Sequence, residues 1–65
     1  MNEAMETVVR ILEQRDKLPR IEAEQCLEEA LEAVQEAFYL GEDPEEIWYE
    51  EVGLEPDYLL AIIGG

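Results

Sequence analysis

Apolar positions recur at intervals of three and four along most of the chain, the spacing that lines one face of an α-helix. Residues 21–40, IEAEQCLEEALEAVQEAFYL, carry this pattern most strongly. Ala23, Leu27, Ala30, Leu31, Val34, Ala37 and Phe38 share one side, widened by Cys26 and Ala33. Gln25, Glu28, Glu29, Glu32, Gln35 and Glu36 share the other. At about 1.5 Å per residue such a helix spans roughly 30 Å, the width of a small domain, so the remaining elements are expected to pack around it. One flank of its apolar arc is small (Cys26, Ala30, Ala33, Ala37) and the other large (Leu27, Leu31, Val34, Phe38). Small residues admit one neighbour closely while large ones fill space against another, which predicts a central wall.

Before this helix, Met1, Met5, Val8, Val9 and Leu12 recur at helical spacing over residues 3–17, with Ala4 and Ile11 at one edge and Arg10 and Gln14 pointing away. Glu3 and Glu6 fall in the first turn and Arg15 and Lys17 in the last, as the helix dipole favours. Leu18-Pro19 ends the first helix and opens the second, with Pro19 expected at its first position and Glu22 in its first turn. So short a connection predicts a helical hairpin. Gly41 is placed to terminate the long helix in a left-handed conformation. Asp43-Pro44-Glu45-Glu46 then combines an N-cap acid, a proline at the first helical position and a glutamate three residues after the cap. The third helix should turn Ile47, Trp48 and Val52 inward and stop at Gly53, with Leu54 folding back over that end. A fourth, over residues 56–63, should bury Tyr58, Leu59, Ile62 and Ile63 beside Ala61, with Leu60 facing the other way and Gly64-Gly65 a frayed tail. The pattern thus predicts a single all-α domain over residues 1–65, two long antiparallel helices closed by two short C-terminal ones.

Charge changes the picture most. Eighteen acids stand against four bases, and Arg10, Arg15, Lys17 and Arg20 all lie in the first twenty residues, where Glu3, Glu6, Glu13 and Asp16 balance them. Residues 21–65 hold the other fourteen acids and no base, and so carry the whole net charge of −14. Such a surface repels phosphates and anionic lipid, excluding direct nucleic-acid binding, and attracts basic protein surfaces. No apolar run approaches the length of a membrane span, and Glu3 and Glu6 stand where a signal peptide would be basic. A lone Cys26 allows no internal disulfide. A cytoplasmic protein without membrane contact is the expectation.

Arg15-Asp16-Lys17-Leu18, Glu22-Ala23, Gly41-Glu42 and above all Val52-Gly53-Leu54-Glu55-Pro56-Asp57-Tyr58 resemble a group of small acidic proteins of bacteria and their phages. In that group an RDG-leucine turn precedes an EEA helix and an LGLEPDY segment closes the chain. The resemblance covers roughly residues 8–60; it departs from the group where Lys17 replaces the turn glycine and Pro19 stands where a serine or threonine cap is common. It implies a shared helical fold and a phage or mobile-element origin, in which an accessory protein or inhibitor acts by binding a host protein, and it assigns no activity.

No set of residues points to catalysis, a cofactor or a metal. The chain has no histidine and no metal-type cysteine pair, and Glu28, Glu32 and Glu36, one turn apart, read as a solvated face. Residues 43–51 lack the alternating ligands and glycine of a calcium loop. Binding has more support. Tyr39 falls on the glutamate face beside Glu32, Gln35 and Glu36, as an aromatic anchor ringed by steering charge would, and Tyr49 points away from Ile47. Leu60 opposes the apolar face of the fourth helix, as a homodimer contact would. Two readings stand: a module that engages a basic protein surface, its acids imitating a phosphate array, or a structural homodimer whose acids only keep it soluble.

Overall fold

The computed structural model describes residues 2–64, and these form four helices with no strand among them: α1 (Glu3–Arg15), α2 (Arg20–Leu40), α3 (Pro44–Val52) and α4 (Pro56–Gly64). Met1, which the pattern assigned to the first apolar stripe, and Gly65 of the expected tail lie outside the described residues. Gly64 closes α4 instead of fraying from it.

Each boundary has a local cause. Asn2 caps α1 by accepting the Met5 amide hydrogen on its side-chain oxygen at 2.8 Å, and its amide nitrogen donates to the Ile62 carbonyl of α4 at 3.5 Å. At the other end α1 stops at Arg15, two residues short of expectation, because Lys17 turns the chain with a φ of 54°, a left-handed conformation that a side chain makes costly. Pro19 occupies the N-cap of α2 instead of its first turn and provides no side-chain cap. At its far end Gly41, at φ 75°, lets the Glu42 amide return to the Ala37 carbonyl at 2.9 Å. Asp43 then caps α3 through the Glu45 amide at 3.0 Å, with Pro44 next in line. Gly53, at φ 68°, ends α3 with its amide on the Tyr49 carbonyl, and Leu54 folds inward beyond it.

The core draws on every helix. Val8, Val9 and Leu12 of α1 meet Ala23, Leu27, Ala30 and Val34 of α2, Trp48 and Val52 of α3, and Leu59 and Ile62 of α4. Trp48 is fully buried, and its indole N–H donates to the Glu55 carbonyl at 3.1 Å, which ties α3 to the start of α4 and leaves the ring no unpaired polar atom. Cys26, half-buried and unpaired, packs against this core as a small hydrophobe. α2 touches α3 most extensively and α1 next, while α4 bridges α1 and α3.

Two expectations about burial fail. Phe38, placed in the apolar arc of the second helix, is exposed, and so is Ile63 at the end of α4. For Phe38 the reason is length. Met5 of α1 lies beside Leu27 and Leu31, and Phe38 continues that flank seven residues, about 10 Å, beyond Leu31. α1 has thirteen residues against the twenty-one of α2, so the cover runs out before the stripe does.

Candidate protein-binding face

The C-terminal third of α2 carries three consecutive large hydrophobic residues that nothing covers: Phe38, Tyr39 and Leu40 are 60%, 90% and 65% exposed. Single exposed hydrophobics are ordinary, but consecutive helical residues point about 100° apart, so these three leave apolar surface uncovered on several sides of one helix end. Tyr39 lies directly opposite the buried stripe of Ala23, Ala30 and Ala37. Helical side chains lean toward the N-terminus of their helix, so its ring lies back over the turn that bears Gln35 and Glu36. Glu32, Gln35, Glu36 and Tyr39 accordingly line one shallow, solvent-open depression of about 310 Å³. Four of the five candidate residues are brought together. Leu60, the fifth, is exposed on α4 with Ile63 one turn on, and it is not part of that depression.

The acids around this face find no base of their own chain, because the three arginines are engaged elsewhere and Lys17 lies in the turn between α1 and α2. Arg20 donates to Glu6 at 2.6 Å and to Glu24 at 2.9 Å and approaches Glu13 at 3.9 Å, joining the start of α2 to α1. Arg10 lies 3.6 Å from Glu6. Arg15 holds Asp16 at 3.0 Å and also donates to the Gly53 carbonyl at 3.4 Å, spanning the ends of α1 and α3. These hydrogen bonds favour the charged forms: the Arg20 bond depresses the Glu6 carboxyl below its ordinary value, and the Arg15 bond does the same for Asp16. Among the described residues, no acid from Glu28 to Asp57 has an ion-pair partner, and Lys17 has none either.

No polar or charged residue is buried among the described residues, and no group of three or more metal-type side chains is placed to hold an ion. What the arrangement offers is an open surface, apolar at its tip and negative around it. None of the described helices is long and apolar enough to cross a membrane. No family model, curated protein or solved structure matches the chain.

The sequence pattern identified Tyr39 and its acidic neighbours but missed Phe38 and Leu40. Phe38 follows the apolar period and Leu40 ends it, so nothing in the period marks either as uncovered. The available signal was the difference in length between the first two helical patterns.

Proposed function

We propose that this protein is a non-catalytic binding module that engages a basic protein surface through the outer face and C-terminal end of α2. The observation that carries this reading is the uncovered run Phe38-Tyr39-Leu40 beside acids that have no ion-pair partner among the described residues. An apolar tip supplies the desolvated contact of an interface, and the surrounding carboxylates supply long-range attraction and exclusion of acidic partners. α1 and α2 lie antiparallel in this reading, which the pairing of Arg20 with Glu13 and the position of Met5 beside Leu31 support. The resemblance to small acidic bacterial and phage proteins supports an accessory or inhibitory role in the cytoplasm, with the acids standing in for a nucleic-acid phosphate array.

The test is recovery of partners from a host lysate on the immobilised protein, washed at low and at high salt, alongside the Tyr39→Ser variant. The reading expects a basic nucleic-acid-handling protein that is released by salt, lost in the variant and displaced by DNA or RNA. Retention of that protein in the variant or at high salt would contradict it.

A homodimer joined through α4 is the second reading, favoured by Leu60 and Ile63, both exposed and one turn apart on the same helix. It expects a salt-resistant dimer in sedimentation that Leu60→Glu dissociates. A monomer at micromolar concentration would exclude it.

A further inference from the structure

The depression beside Tyr39 narrows the chemistry of the partner. Its wall is an aromatic ring 90% exposed, and one turn and two turns before it stand Glu36 and Glu32, with Gln35 between them on the same face. Neither carboxylate has a cation from its own chain among the described residues, since Arg10, Arg15 and Arg20 pair with Glu6, Glu13, Asp16 and Glu24. A planar cation fits this arrangement better than a point charge. A guanidinium stacks flat on an aromatic ring while its edge still presents a fork of N–H donors to a carboxylate, whereas an ammonium must choose between the ring face and the acid. A second copy of the chain is disfavoured as occupant, because each copy carries a net charge of −14 and the faces that would meet are acidic.

We infer that this unpartnered face of α2 takes an arginine side chain from a basic segment of the partner, the guanidinium stacked on Tyr39 and donating to Glu36 and Glu32. The inference rests on the basic-partner reading above and makes it specific. Gln35, which lines the same depression, offers its side-chain carbonyl as a neutral acceptor.

Two short amphipathic helical peptides, identical except that every cation is arginine in one and lysine in the other, test this against the full chain at low salt. Binding is measured by titration for the wild type and for Tyr39→Phe, Tyr39→Leu and the Glu32→Gln/Glu36→Gln pair. Burial of Trp48 in the core supplies a fluorescence check that each variant is folded. The arginine peptide should bind roughly threefold to tenfold more tightly than the lysine peptide. Tyr39→Phe, which keeps the ring, should preserve that preference; Tyr39→Leu, which keeps apolar bulk, should erase it; the paired glutamine substitutions should weaken both peptides and reduce the ratio. Equal binding of the two peptides to the wild type would overturn the arginine slot and leave the basic-surface reading standing. A preference that survives Tyr39→Leu would also overturn the slot. Binding of neither peptide would overturn both.

Discussion

Leu27 and Phe38 stand on the same flank of α2, and replacing each by alanine should have very different consequences. Leu27 is 2% exposed within the core shared by all four helices, so Leu27→Ala removes a fully buried side chain and leaves a cavity, at a cost of about 2–5 kcal/mol. A chain of this length has a total stability of roughly 3–10 kcal/mol, so the change takes a large part of it. Phe38 is 60% exposed and leaves no enclosed cavity. Scaling the cost of about 3–5 kcal/mol for a buried phenylalanine by its covered share, omitting the cavity contribution and crediting alanine with about 0.5 kcal/mol of helix propensity, gives a loss of about 0.5–1 kcal/mol. Urea unfolding followed by Trp48 fluorescence reads both, because the indole passes from complete burial with a hydrogen bond to Glu55 into water. Leu27→Ala should move the midpoint far toward zero denaturant, and Phe38→Ala should move it slightly. Equal losses would mean that Phe38 is covered in the folded protein, contrary to its 60% exposure.

Lys17→Gly should raise stability by about 0.5–1 kcal/mol in the same assay, because glycine relieves the left-handed strain at φ 54° by more than it adds to the entropy of the unfolded chain; a loss would show that Lys17 has a compensating role. Asp43→Ala should cost about 1 kcal/mol by freeing the Glu45 amide at the start of α3, and an unchanged midpoint would contradict the cap. Glu6 tests linkage: its folded-state pKa lies below the ordinary value of 4.5, so the stability it contributes is complete above that value and is lost as pH falls through the lower folded one. Glu6→Gln should therefore be less stable than the wild type at neutral pH and converge with it in acid, and a gap that persisted in acid would refute the pairing with Arg20.

The four helices were legible because the chain punctuates them chemically. Gly41, Asp43-Pro44 and Gly53 act where the pattern placed them, and Pro56 opens α4. Pro19 marked the right junction but sits one position earlier than a first-turn proline, and with no side-chain oxygen it leaves the amides at the start of α2 uncapped by its own side chain. The cap by Asn2 went unread because a single polar residue at a chain end carries no periodic signal. Phe38 and Ile63 show the general limit: periodicity identifies which face of a helix is apolar, whereas burial also depends on how far the neighbouring helices reach. The juxtaposition of Tyr39, Gln35, Glu36 and Glu32 was legible because they are neighbours on a single helix and need no tertiary information to meet. The Arg20 network is the opposite case. It joins Glu6, fourteen positions away, to Glu24, one turn away, and only the packing of α1 on α2 brings the three together.

The uncovered end of α2 is proposed as a binding face for a basic partner. Titration of the isotope-labelled protein with the arginine peptide, followed by amide chemical shifts, tests it most directly. Shifts should concentrate on residues 32–42, saturate with peptide and be reversed by salt. Shifts centred on Leu60 and Ile63 of α4, or scattered over the acidic surface without saturation, would contradict it.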